Sequence, residues 1–169
     1  MLVRLYYIGL MLLSPLAVET ARAEVFTKRF KDWSYIWTDN AQANDKCLVG
    51  TASQTGEFRV MFSRDVGLSL QVKLKGLSLT PGTPYRIGFS VDERAWRDVS
   101  AQFNGSDLRI ALRDWQAGTQ LLGAIIDGKE LRLHGNLGAP RAVWSLRGSA
   151  KAAEKLRACV RDATQQGEG

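Results

Sequence analysis

Histidine and cysteine are scarce in this sequence: His134 is the only histidine, and Cys47 and Cys159 are the only cysteines. Zinc sites use cysteine and histidine ligands clustered at short spacing, which these three separated residues do not provide. No serine lies in a Gly-x-Ser-x-Gly turn, and His134 has no evident acid or nucleophile partner, so we expect it to be structural. We therefore predict no metal site, no cofactor and no catalytic residues.

Long apolar runs are also missing, apart from a short one near the start of the chain. Residues 5–13 are apolar, Arg4 precedes them, and the small-x-small triplet Ala21-Arg22-Ala23 follows, which is the pattern of a signal peptide. The run is shorter than the roughly 20 apolar residues of a transmembrane helix. We expect residues 1–23 to be removed near Ala23 and the mature protein to be periplasmic or secreted, without stable membrane insertion.

Runs of charge of one sign are absent, although the chain is mildly basic. Lysine and arginine number 23 against 17 aspartate and glutamate residues, a net charge of +6. The basic residues are dispersed along the chain, which is typical of a solvated surface and argues against nucleic acid as a partner. An anionic envelope component, or a protein of the envelope or of a host, fits this balance better.

Export makes the two cysteines informative, because oxidising compartments favour their pairing. We predict an intramolecular Cys47–Cys159 disulfide that joins the front of the domain to its end. Two buried free thiols, or an intermolecular link, are the alternatives.

Alternating apolar and polar residues predict a mainly β protein, an antiparallel meander that forms a β-sandwich or barrel-like domain. We expect a single domain over residues 24–162 and a flexible tail over 163–169. Asn104-Gly105 and Asp127-Gly128 are typical of tight hairpin turns. The predicted strands contain these alternating residues: Phe58, Val60 and Phe62; Leu68, Leu70, Val72 and Leu74; Tyr85, Ile87, Phe89 and Val91; Leu108, Ile110 and Leu112; Leu131 and Leu133.

One helix is predicted, over about residues 149–160, with Ser149 as its N-cap. Ala152, Leu156, Cys159 and Val160 share one face of this helix at the spacing of an amphipathic segment. We expect that face, and therefore Cys159, to pack against the sheet.

Acidic residues are concentrated at Asp92, Glu93 and Asp98, close to Arg94 and Arg97. Calcium binding or a glycosidase-type carboxylate pair would use such residues. Solvated charges in a turn are the simpler interpretation.

Two aromatic segments are candidate binding surfaces. Trp33, Tyr35 and Trp37 recur at every second residue and share one strand face, which is either the core side or a surface that stacks on a ligand. Trp115 follows Arg113 and Asp114 in a predicted loop, where it either binds a partner or packs over the core.

The ends of the chain resemble the invasion-associated locus B family and related small exported proteins of Gram-negative bacteria. The shared features are Phe30-Lys31-Asp32-Trp33, a cysteine soon afterwards at Cys47, and a strand at residues 144–148 that leads into an alanine-rich helix with Cys159. Further cysteines expected in that family are missing. The resemblance implies an exported β domain linked to the envelope or to host-cell interaction, with no known chemistry.

From these observations we expect an exported, non-catalytic binding or interaction protein of the bacterial envelope. The alternative is an inhibitor of an exported enzyme, such as lysozyme or a protease, that presents the loop at residues 113–119. A hydrolase that uses Asp92, Glu93 and Asp98 is the third possibility.

Overall fold

The computed structural model describes residues 24–39, 46–112, 116–135, 137 and 141–165. Within these ranges, ten antiparallel strands form one sheet accompanied by two helices, so the predicted mainly β fold with a C-terminal helix is confirmed. The elements are β1 (Glu24–Phe30), β2 (Trp33–Asp39), β3 (Lys46–Ala52), β4 (Gly56–Ser63), β5 (Gly67–Leu74), β6 (Pro84–Val91), β7 (Arg94–Phe103), β8 (Leu108–Ala111), α1 (Gln116–Asp127), β9 (Glu130–His134), β10 (Val143–Ser145) and α2 (Ser149–Gln165).

The strand order is β1-β2-β3-β4-β5-β8-β7-β6-β9-β10, and the sheet is not closed into a barrel. Strands β1 to β5 follow one another as hairpins, but β5 then pairs with β8 and β6 pairs with β9. The prediction of one continuous meander is therefore wrong at this point. The β5–β6 connection passes the two positions in the sheet that β8 and β7 later occupy. The segment that contains α1 then connects β8 to β9, on the far side of β6.

The hairpin predicted at Asn104-Gly105 is present, but its turn between β7 and β8 spans residues 104–107 and is not the tight two-residue turn. Gly105 has a φ of 99°, and Asn104 Oδ1 accepts hydrogen bonds from the backbone N–H groups of Ser106 and Asp107, both at 2.9 Å. The predicted hairpin at Asp127-Gly128 is wrong, because these residues end α1. Gly128 donates its N–H to Ala124 O at 2.7 Å, in the pattern of a helix C-terminus.

The sheet is strongly curved, so β10 approaches the beginning of β2. Asp32 N donates to Arg147 O at 3.2 Å, and the indole N–H of Trp33 donates to Ser145 O at 3.0 Å. On the same concave face, the Phe58 ring lies 5.7 Å from the Trp144 ring between centroids. The hydrophobic core therefore fills the inside of the curve.

The C-terminal helix α2 packs against β2 and β3 on this concave face, and the predicted Cys47–Cys159 disulfide fixes it there with a Cα–Cα distance of 6.0 Å. Ala152, Leu156 and Cys159 are buried, as expected for the face toward the sheet. The helix continues past the predicted end, through Gln165, and buried Ala163 extends the same face by one turn.

Candidate functional site

A cavity of about 720 Å³ lies between the two helices and the concave face of the sheet. We call it the helix–sheet cavity. It is lined by residues of β2, β3, β4, β5, α1 and α2, and most of them are apolar. Small-molecule sites in proteins are typically apolar clefts of about 300–1,000 Å³ with a few polar groups at defined positions.

The wall formed by α1 consists of Thr119, Leu122, Gly123 and Ile126 together with Ile125. Positions three and four apart lie on one face of a helix, so the first four form a continuous stripe. A Cβ built on Gly123 meets no heavy atom within 4 Å, which means that this glycine faces open space. The gap beside Gly123 adds to the width of the cavity.

The wall formed by α2 consists mainly of Ser149, Ala153, Leu156 and Val160. This stripe adjoins the face that carries Cys159 and packs on the sheet. One helix therefore uses two neighbouring faces, one for the disulfide and the sheet, the other for the cavity. The disulfide fixes the distance between the α2 wall and the sheet.

The two helices are joined at one end of the helix–sheet cavity. Ser149 Oγ donates a hydrogen bond to Ile126 O at 3.3 Å, which links the start of α2 to the end of α1. The prediction that Ser149 caps α2 is wrong: Ser149 is the first residue of the helix, Gly148 O accepts the first helical bond from Ala152 N, and the buried Ser149 hydroxyl bonds to α1. At the opposite end Thr119, Arg157 and Arg161 are exposed, so the cavity opens there.

Trp33, Val49 and Val60 form the floor of the helix–sheet cavity, with exposed fractions of 1%, 1% and 2%. Trp33 therefore belongs to the core. This agrees with the interpretation that the aromatic face is the core side of the strand. Tyr35 and Trp37 lie on the same sheet face but are only half-buried. They pack against the edge of the core.

Trp37 and Tyr35 each have a distinct environment beside α2. The Trp37 ring stacks on Phe26 with a centroid distance of 5.3 Å, so its partner is the edge strand β1. Burial raises the pKa of the Tyr35 hydroxyl above 10.0, and the nearby Asp162 carboxylate raises it further. Tyr35 is therefore held in its neutral form well into the alkaline range.

The predicted binding loop is placed only in part. Arg113, Asp114 and Trp115 lie outside the described residues, so their role as binding residues stays a prediction. Residues 116–119 form the first turn of α1, and the prediction of a loop across them is wrong. The inhibitor hypothesis, which relies on this loop, also stays a prediction.

Asp92, Glu93 and Asp98 line one groove on the convex face of the sheet, and the hydrolase hypothesis that uses them stays a prediction. Asp92 and Glu93 form the turn between β6 and β7, and the Asp92 carboxylate accepts hydrogen bonds from the backbone N–H groups of Lys129 and Glu130. Asp98 has a φ of 56° and lies in a β-bulge of β7, where Arg97 and Asp98 together lie opposite Gly88 of β6. Within the described ranges, no group of three or more histidine, cysteine or carboxylate side chains could hold a metal ion.

His134 has a partner that sequence reasoning missed. Its Nε2 lies 2.7 Å from Ser90 Oγ, across the β6–β9 pair, on the convex face of the sheet. No sequence signal points to this pair, because the two residues are 44 positions apart and meet only through the strand order. The contact joins β6 to β9 in a groove that Arg86 and Arg97 also line.

None of the helices in the described part of the chain is both long and apolar enough to cross a membrane. Comparison with known protein families, with curated proteins and with solved structures finds no match to this chain. The resemblance to the invasion-associated locus B family therefore stays a prediction.

Proposed function

We propose that this chain is an exported, non-catalytic binding protein that holds an apolar small molecule in the helix–sheet cavity. The observation that supports this function is the cavity itself, about 720 Å³ between α1, α2 and the sheet, with apolar side chains on every side. Sites of this size and composition suit small ligands.

A slender ligand fits this site better than a protein surface does. The floor residues Trp33, Val49 and Val60 have exposed fractions of only 1–2%, so the contact surface is supplied by the walls above them, which form a narrow space between two helices. Leu122 and Val160, on the facing helix walls, are half-buried and line the way down to the floor. A flexible apolar molecule that enters between the helices contacts the side chains of both walls, and its removal from water drives binding.

Export is part of the same proposal. The signal-peptide pattern of residues 1–23 and the Cys47–Cys159 disulfide both suit an oxidising compartment, and the periplasm is our first choice. A ligand of the envelope, or one met during host association, agrees with the resemblance described above.

Titration with the neutral fluorescent probe N-phenyl-1-naphthylamine tests this function. We expect the probe fluorescence to rise and saturate with the purified, oxidised protein. Gly123→Leu should weaken binding of the probe, because the new side chain occupies the open space beside Gly123 and narrows the cavity. Leucine is also a better helix former than glycine, so the variant should remain folded.

Lys151→Leu is the matched control, since it adds the same side chain to α2 at an exposed position outside the cavity lining. It should bind the probe like the parent. Absence of saturable binding to the folded parent protein, or equal binding by Gly123→Leu, would contradict the proposed function.

A further inference from the structure

Two arginines of α2 stand at the open end of the helix–sheet cavity. Arg157 and Arg161 are the charged residues of its lining, and no acidic residue is among the described residues that line it. They are four positions apart on α2, so their side chains are neighbours on one helix face.

Arg157 and Arg161 form no salt bridge and no side-chain hydrogen bond within the part of the chain that the structure describes. Like charges at this spacing destabilise a helix, and an anion between them removes that cost. Guanidinium groups bind carboxylate and phosphate oxygens through two parallel hydrogen bonds, which gives strength and direction.

The apolar lining and the arginine pair lie at different depths of one site. The walls and the floor accommodate an apolar chain, while the arginines lie where the head of that chain meets water. We infer that the ligand is a single-chain amphiphile with an anionic head, a carboxylate or a phosphate, bound by Arg157 and Arg161. This inference rests on the proposed function, since it names the ligand class of the same cavity.

Ligands that share one ten-carbon tail and differ in their head group show how much the head group contributes to the affinity. Decanoate, decyl phosphate, decanol and decyltrimethylammonium would each be titrated, below their micelle-forming concentrations, as competitors of bound N-phenyl-1-naphthylamine. One or both anions should bind at least about tenfold more tightly than decanol, the gain typical of a charge-assisted hydrogen bond. The cation should be the weakest competitor. Comparing decanoate with decyl phosphate tells which anionic head the site prefers.

The double variant Arg157→Gln and Arg161→Gln should reduce the affinity for the preferred anion to that for decanol, and leave the affinity for decanol unchanged. Lys151→Gln with Lys155→Gln is the control, because it removes the same charge from exposed positions of the same helix outside the cavity. It should keep the preference for the anion.

Equal affinities for decanol and both anions, or an equal loss of preference in the lysine control, would overturn the inference. The neutral probe would still bind in both cases, so the proposed function would stand. Loss of probe binding altogether would instead contradict the proposed function.

Discussion

At the scale of single residues, Trp33 and Trp144 both fill the core and hold the curvature of the sheet. Trp144 has an exposed fraction of 1%, and its indole N–H donates to Gly56 O at 3.0 Å, from one edge strand to β4. Trp33 makes the corresponding bond to Ser145 O. Phenylalanine keeps an aromatic ring at either site but removes the indole hydrogen bond. Gly56 O still accepts a hydrogen bond from Ser53 N at 2.8 Å.

Trp144→Phe should therefore lower the free energy of unfolding by about 1–3 kcal/mol, because it removes one buried hydrogen bond and leaves a space where the larger ring was. Urea unfolding, followed by circular dichroism, measures the change. Val143→Ala is the control on the same strand, and because Val143 is exposed its effect should stay within about 0.5 kcal/mol. Equal stability of Trp144→Phe and the parent would show that the indole hydrogen bond does not hold the sheet.

Tyr35 gives a prediction about pH. Burial and the Asp162 carboxylate raise its pKa above 10.0 in the folded protein, so the folded state holds this proton more tightly than the unfolded state does. Its contribution to stability is complete below about pH 10, the unfolded pKa, and is lost as the pH rises through the folded pKa.

NMR titration of carbon-13-labelled tyrosine measures this pKa directly. Asp162→Asn should lower it toward 10.0 without removing the whole shift, since burial is the larger cause. Glu154→Gln removes a carboxylate elsewhere on α2 and should have no such effect. A Tyr35 pKa at or below 10.0 in the parent would refute the described environment.

Single residues also show what a sequence can and cannot predict about contacts. The Cys47–Cys159 pair was predictable, because a chain with two cysteines allows only one intramolecular bridge. The contact between Ser90 and His134 was not, because it depends on β9 pairing with β6. Local sequence patterns do not specify which distant strands pair.

At the scale of elements, α1 is the largest departure from the sequence prediction. Its sequence, QAGTQLLGAIID, contains two glycines and a short apolar run that fits a buried strand as well as a helix. Leu121 and Ile125 are buried, four positions apart, so tertiary packing stabilises the helix despite the glycines. The cavity wall formed by α1 could not be predicted without knowing that this segment is helical.

Helix α2 was predictable, because its apolar positions repeat at helical spacing and its surface is rich in charge. Its position depends on the disulfide, whose half-cystines are 112 residues apart. Replacing both with alanine, in Cys47→Ala with Cys159→Ala, should lower the free energy of unfolding by about 2–5 kcal/mol, mainly by freeing the unfolded chain.

Urea unfolding of the double alanine variant and of the oxidised parent gives this difference. The variant should also bind N-phenyl-1-naphthylamine more weakly, because the α2 wall is no longer fixed to the sheet. A variant as stable as the parent would mean that packing alone holds α2 in place.

At the scale of the whole molecule, the helix–sheet cavity is formed by elements that are far apart in the sequence. Helix α1 follows β8 and helix α2 follows β10 in the sequence. Both helices come together on the concave face of the sheet through the pairing of all the strands. The sequence predicted strands, the C-terminal helix and its apolar face, but no pattern in it marks a space left between two helices. For the same reason, Trp33 could be identified from the sequence as a candidate binding residue, but the cavity above it could not.

The most direct measurement is a crystal structure of the oxidised protein grown with saturating decanoate. The account predicts an apolar chain between α1 and α2 above Trp33, with its carboxylate beside Arg157 and Arg161. An empty helix–sheet cavity at saturation, or decanoate bound only on the convex face of the sheet, would contradict it.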